Sequence, residues 1–248
     1  MNIMASTSET GHVKNVANFE NLITTVKSFG EPYKPIKTVL TIPELEKKKT
    51  EAQTTIDEVL AAKAKYDTAV NARRTAFDGI KPLATRVVSA FSVSGVDGLA
   101  VNNLKSANKK LQGTRSSSAK QDVSAQTPDA PKTTKVSTSQ QSYDNQTAHF
   151  AGIIEVLKQY PSFVPNETEL TVQALENKLA ELKKTNSDII SPYTEYTNAL
   201  TRRNQSLYDP LTGLVQTAKE VKQYVKSVYG STSPQYKQIT TIEFKGRA

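Results

Sequence analysis

A chain of 248 residues without cysteine excludes disulfides and thiolate metal sites, and no run of about 18 apolar residues marks a membrane span. Hydrophobic residues make up 37%, aromatics 7% and tryptophan is absent, which is lean but compatible with a helical bundle. The formal net charge of +8 is uneven: residues 105–136 hold Lys105, Lys109, Lys110, Arg115, Lys120, Lys132 and Lys135 against Asp122 and Asp129, seven minus two or +5, so the remainder is close to balanced.

Residues 1–11 are polar and predict a disordered start; the absence of an apolar run there argues against a signal peptide and for a soluble cytoplasmic protein. From His12 a helix follows, with Val16, Phe19, Leu22, Ile23 and Val26 on one face and Gly30 at its end. Pro32 and Pro35 make a stiff connector, read as a loop rather than a recognition motif. Thr41 and Glu44 form a capping-box pattern that opens a very long helix, Thr41 to Phe77. Asp78 or Gly79 breaks it. Ile80, Leu83, Ala84, Val87, Val88 and Phe91 then line a third helix closed by Gly95, and Asp97 can cap a further one built on Leu99, Val101, Leu104 and Leu111.

Gly113 to Thr138 is rich in Ser, Thr, Lys, Ala and Pro and almost devoid of large apolar residues. Such a segment cannot bury enough surface to offset its ordering entropy, so it reads as a linker. After it the plan starts again. Phe150, Ile153, Ile154 and Leu157 answer Phe19, Leu22, Ile23 and Val26, and Pro161 and Pro165 answer the earlier connector. A second long helix spans Thr171 to Leu207, with Pro192 inside it predicting a kink. Asp209 and Pro210 look like the N-cap and first residue of a helix carrying Leu211, Leu214, Val215, Ala218, Val221, Val225 and Val228, closed by Gly230. Pro234 starts a last segment that packs through Ile239, Ile242 and Phe244.

The repetition is quantitative. At an offset of 130, residues 40–73 match residues 170–203 at ten of 34 positions without a gap, Leu45/Leu175, Glu51/Glu181, Tyr66/Tyr196 and Arg73/Arg203 among them; chance would give roughly two. Steps of four and three trace a seam through Leu45, Lys49, Ala52, Ile56, Val59, Lys63, Tyr66, Val70, Arg73 and Phe77, and in the second copy through Leu175, Leu179, Leu182, Asn186, Ile189, Tyr193, Tyr196, Leu200, Arg203 and Leu207. The expected fold is all-α: an elongated helical bundle of two tandem three-helix repeats, residues 12–112 and 139–248, joined by the linker 113–138 and related by pseudo-two-fold symmetry. The long helices are expected to lie side by side or antiparallel.

The stretches SQQSYDNQTAHF, RRNQSLYDPLTGLV and YVKSVYGSTSPQYKQI resemble a family of bacterial proteins, mostly from Bacteroidota, to which no chemistry is assigned. The resemblance covers nearly the whole chain and includes the two-copy plan and the Ser/Lys-rich middle. It implies a bacterial origin and lends no catalytic residue. The first copy departs from the pattern, with SVSGVDGL where the second has SVYGSTSP.

Few residues suggest chemistry. His12 and His149 are the only imidazoles, and both read as surface or helix-face residues. No H-E-x-x-H, Walker A, G-x-G-x-x-G or G-x-S-x-G pattern occurs. Glu46 and Glu51, and their counterparts Glu176 and Glu181, are five apart and share no helix face. Asn145, Asn166 and Asn204 begin N-x-S/T triplets of the kind chance supplies in a Thr-rich chain. No catalytic residue, metal, cofactor or small-molecule substrate is therefore expected. The candidate interaction residues are Arg73 and Arg203, seam arginines that pack their stems and reach a carboxylate or helix carbonyl, or else bind a partner's acidic group. The expected function is a non-enzymatic structural or protein-binding scaffold able to self-associate. The alternative is phosphate-backbone binding to nucleic acid through the basic stretch 105–136, with Lys109, Lys110 and Arg115 as its residues.

Overall fold

A computed structural model describes residues 10–113 and 141–246. Most of the expected linker, and residues 1–9 of the expected disordered start, lie outside the described residues. Among the described residues all regular structure is helical. The helices are α1 (Thr10–Ser28), α2 (Ile42–Phe77), α3 (Ile80–Ser92), α4 (Gly98–Gln112), α5 (Tyr143–Lys158), α6 (Val172–Asp188), α7 (Ile190–Tyr208), α8 (Leu214–Tyr229) and α9 (Pro234–Thr240). Short 3-10 turns, Thr38–Leu40 and Thr168–Leu170, lead into α2 and α6.

The offset of 130 holds down to single hydrogen bonds in these two approaches. Tyr33 N donates to Gly30 O (3.0 Å) as Phe163 N does to Tyr160 O (2.9 Å), and Thr41 Oγ1 donates to Thr38 O as Thr171 Oγ1 does to Thr168 O, both at 2.8 Å. The Thr41 backbone N–H, expected to meet Glu44 in a capping box, donates to Thr38 O (3.0 Å) and closes the 3-10 turn instead; in the second copy, with Ala174 at the matching place, Thr171 Oγ1 caps α6 by accepting from Ala174 N (3.3 Å). Asp97 does cap α4, accepting from Leu99 N (2.8 Å) and Ala100 N (2.9 Å). On that helix Ala100 is buried while Leu99 is 77% exposed.

The second long helix is not continuous. Pro192 has no N–H to donate to Asp188 O, and the helix ends at Asp188 and restarts at Ile190. The first copy has Ala62 at the matching place, and α2 runs unbroken for 36 residues, about 54 Å. The seam also departs from expectation. Lys63 is exposed and paired with Asp67 (2.5 Å), and Ala62 takes the buried position, because an ammonium stays hydrated where a methyl group does not need to. Tyr193 is likewise 53% exposed.

Asp209 and Pro210 do not start α8. Asp209 Oδ1 accepts from Leu211 N (2.9 Å), Thr212 N (2.7 Å) and Thr212 Oγ1 (2.9 Å), which closes a separate turn, and α8 begins only at Leu214. Leu211 is consequently 80% exposed, and Val228, at the far end of α8, is 42% exposed. These donors, Thr212 N first, hold the Asp209 carboxyl below its ordinary range. Its contribution to the turn is therefore present above the usual carboxylate range and lost as pH falls through the depressed value.

The described residues form two compact units. Unit 1 draws on the described residues of 1–67 and 191–248, unit 2 on those of 68–190. In unit 1, Phe19, Leu22 and Val26 of α1 share a core with Leu45 and Ile56 of α2, Leu207 of α7 and Val221 of α8. There α2 and α7 run antiparallel, since partners fall in number along α7 as they rise along α2: Glu58 meets Arg202 (3.0 Å) and Lys65 meets Glu195 (3.3 Å). In unit 2, Phe91 of α3, Leu104 of α4, Phe150 and Ile154 of α5 and Leu175 of α6 form the core. The units therefore cut across the sequence copies. The first helix of each copy is covered by the later helices of the other.

The two ends of the undescribed stretch 114–140 lie together within unit 2. Gln141 Nε2 donates to Lys110 O (3.3 Å), Lys81 Nζ donates to Gln141 Oε1 (2.8 Å), and a Cβ on Gly113 would sit 2.6 Å from Gln141 Cδ. The chain leaves and returns at one spot. Expressed together as separate chains, residues 1–113 and 141–248 are expected to copurify as a 1:1 complex with the helicity of the intact protein, since each unit needs both. Circular dichroism of either half alone is expected to show a large loss of helix. A second expectation concerns Gly213, where a Cβ would lie 2.5 Å from Asp209 N. Gly213→Ala should lower stability by roughly 1–3 kcal/mol in urea titration, as overpacking against fixed backbone does.

Candidate binding groove and the predicted arginines

α8 is two-faced. Leu214, Ala218, Val221 and Val225, at steps of four and three, are buried in unit 1. The opposite side carries Gln216, Lys219, Gln223 and Lys226, again one helical face, and this row forms one wall of an open groove of about 750 Å³. The 3-10 turn before α2 supplies the other wall through Lys37 and Leu40.

The turn is held in place by its own chemistry. Tyr33 is buried, its hydroxyl donates to Leu40 O (2.7 Å), and its ring meets Tyr224 edge-on at 5.4 Å between centroids. Burial first, and Tyr224 second, push the Tyr33 phenol well above its ordinary range, so it stays a donor. Lys34 N donates to Tyr224 OH (3.2 Å). Lys37 Nζ bonds Glu220 Oε2 at 2.5 Å, and that ammonium holds the Glu220 carboxyl below its usual range.

With Lys37 and Glu220 spent on each other, the groove's uncompensated charge is that of Lys219 and Lys226. Both are exposed, and neither pairs with a carboxylate among the described residues. Lys226 instead lies 5.9 Å from the Tyr236 ring. The groove thus combines the Tyr224 ring, the amides of Gln216 and Gln223, the first of which donates to Glu220 Oε1 (3.4 Å), and two ammonium groups that pair with no carboxylate among the described residues. It suits an extended, negatively charged ligand.

The arginines occupy unlike settings in different units. Arg203 in unit 1 is 5% exposed and donates through Nε (3.3 Å) and Nη2 (2.9 Å) to Asn204 Oδ1. Arg73 in unit 2 stacks on Tyr143, its guanidinium carbon 4.3 Å from the ring centroid, with Nε buried and unpartnered. The carboxylate or carbonyl expected beside Arg73 is absent among the described residues; an aromatic face stands there. Tyr143 packs in turn against Phe77 at 4.7 Å. Lys109 and Lys110 lie in the last turn of α4, whose carbonyls accept from Gly113 N, and Arg115 lies outside the described residues. A cation at a helix C-terminus is favourable in its own right, so neither lysine needs a ligand to account for it.

Sequence reading missed Asn15. It is 1% exposed on the apolar face of α1 and donates to Tyr208 OH (3.3 Å), whose oxygen lies 2.6 Å from His12 Nδ1. An amide at a position where helical spacing calls for an apolar residue was the available signal. His12 lies in α1 as expected, and the helix starts two residues earlier, at Thr10, inside the expected disordered start. His149 Nε2 is buried without a partner, and burial first, then Lys110, lowers its pKa. Among the described residues no group of three or more His, Asp or Glu could hold a metal ion, and no helix is long and apolar enough to cross a membrane.

Arg203→Ala is expected to lower the urea midpoint markedly, by about 2–4 kcal/mol in stability, since it empties a buried and hydrogen-bonded position. Arg73→Met should cost under about 1 kcal/mol, because its stem and ring contact survive and a buried orphan N–H is removed. Equal losses at the two positions would contradict this difference in setting. No family model matches the chain, and neither a curated protein nor a solved structure matches it.

Proposed function

We propose that the chain is a non-enzymatic structural and protein-binding scaffold of a bacterial cytoplasm, built from two tandem copies of a three-helix plan with a pseudo-two-fold relation between the copies. Long helices paired antiparallel supply a stiff frame, and the groove between the turn Thr38–Leu40 and α8 supplies the binding face. The observation that carries this reading is the groove's lining: Gln216 and Gln223 alternate with Lys219 and Lys226, whose ammonium groups pair with no carboxylate among the described residues, beside Tyr224. That chemistry fits an acidic polypeptide segment. The amides pair its main chain and the lysines its carboxylates, and charge of one sign speeds encounter.

The same lysines also suit phosphate, and Lys109 and Lys110 adjoin the basic stretch, so nucleic acid is the competing ligand. The two readings separate in one experiment. Tagged wild-type chain and Lys219→Glu/Lys226→Glu chain are used to capture partners from native lysate with and without nuclease. A stoichiometric protein that survives nuclease and is lost with the charge reversal is the expected result. Recovery of nucleic acid that the charge reversal leaves unchanged, and that removal of residues 114–140 abolishes, would overturn the groove and favour the basic stretch.

A further inference from the structure

Beyond the lysine-lined groove, unit 1 holds a second binding arrangement that is already filled. Residues Thr241–Gly246 follow α9 and lie along α1 and α8. Their side chains alternate as in an extended segment: Ile242 is buried, Glu243 exposed, Phe244 half-buried and Lys245 exposed. The main chain of this strap is gripped by side chains of α1 and α8. Lys222 Nζ donates to Ile242 O (2.5 Å), Asn18 Nδ2 to Glu243 O (2.7 Å) and Asn15 Nδ2 to Lys245 O (2.9 Å), while Asn15 Oδ1 accepts from Lys245 N (3.0 Å).

Groups that read carbonyls and amides demand no particular sequence. What selectivity there is comes from Ile242, in the core of unit 1, and Phe244, edge-on to Phe19 at 6.4 Å and 5.5 Å from the Lys222 ammonium. The site therefore reads an extended peptide of the pattern apolar, any residue, aromatic. This is recognition of an extended main chain with alternate side-chain pockets, here built from helix side chains rather than a sheet edge. Asn15 meets the strap through both its amide groups and Tyr208 through its nitrogen, so this buried amide is satisfied only with the strap in place.

Deepening the self-association part of the scaffold reading, and resting on it, we propose that this α1–α8 site is a peptide-docking site whose other occupant is residues 242–245 of a second copy of the chain, so that chains link by exchanging straps. The contacts made between copies are the ones made within a copy, so the site's fit to its occupant is already demonstrated. Only the effective concentration of the attached strap favours the closed form. Six residues reach at most about 20 Å, so donor and acceptor must meet side by side at the faces of α1 and α8.

The test uses two full-length variants that remove this competition. Asn15→Ala/Asn18→Ala breaks the site and leaves the strap; Ile242→Ala/Phe244→Ala breaks the strap and leaves the site. Each alone is expected to sediment as a monomer, and their mixture as a 1:1 complex. The peptide TIEFKG should bind the strap-broken variant and compete with that complex, and its affinity should fall about tenfold or more when Asn18→Ala is added. If the double strap variant loses helicity, Phe244→Ala alone replaces it. A mixture that stays monomeric while both variants keep wild-type helicity overturns the proposal. Self-association of the wild-type chain that survives both sets of substitutions also overturns strap exchange but leaves the scaffold reading standing.

Discussion

A helix of 36 residues is about 54 Å long, and neither α1 with 19 residues nor α3 with 13, about 28 and 20 Å, matches it alone. An amphipathic helix with bare apolar ridges must find another surface. Here part of that surface comes from the other copy. α2 contributes Leu45 and Ile56 to unit 1, with Leu207 and Val221 as neighbours, and Ala76 and Phe77 to unit 2, with Phe150 and Leu175. α2 is thus covered by helices of both copies.

Where α2 meets α7 in unit 1 the packing is small and close. Val59, Ala62 and Ala199 form the buried patch, and Tyr66 stacks nearly parallel to Tyr196 (5.9 Å, 8°) with Tyr193 tilted against it (5.6 Å). Alanines bring the backbones together, and the aromatic group fills the space beside them. The flanking pairs Lys65–Glu195 and Glu58–Arg202 are half-exposed and worth little in stability, but they fix the register. Register matters because a slip of one turn would lift Ala62 off Ala199 and leave Tyr66 without its stack.

Local features were legible in the sequence wherever local physics decides. The apolar faces of α1, α3 and α8, the Asp97 cap and the interruption caused by Pro192 all follow from spacing and residue type. The errors have local competitors as their cause. Asp209 satisfies its acceptor capacity within a turn of its own, so a good capping residue did not mark a helix start. Lys63 obeys the seam's arithmetic but not its hydration, and Ala62 displaces it. Which copy covers which helix was not legible, because the two copies carry the same pattern and either assignment buries similar residues. Of the expected interaction residues, Arg73 and Arg203 were found by their place in the repeat, but repetition could not reveal that Tyr143 faces one and Asn204 lies against the other. The groove lysines escaped notice because Lys219 and Lys226 look like an ordinary solvated face until Lys37 is brought opposite them.

The joined ends at Gly113 and Gln141 give the stretch between them the standing of an insertion rather than a tether. A tether sets how far apart its ends can be; an insertion with touching ends sets nothing beyond its own closure. The entropy of that closure grows only with the logarithm of length, about 0.6 kcal/mol for each doubling. A change in the length of chain between these two ends is therefore expected to cost the helices on either side little. A folded reporter with adjacent termini, or new ends made by circular permutation, would be accommodated there for the same reason. The two copies are held to one another by packing in both units, and not by the covalent link alone.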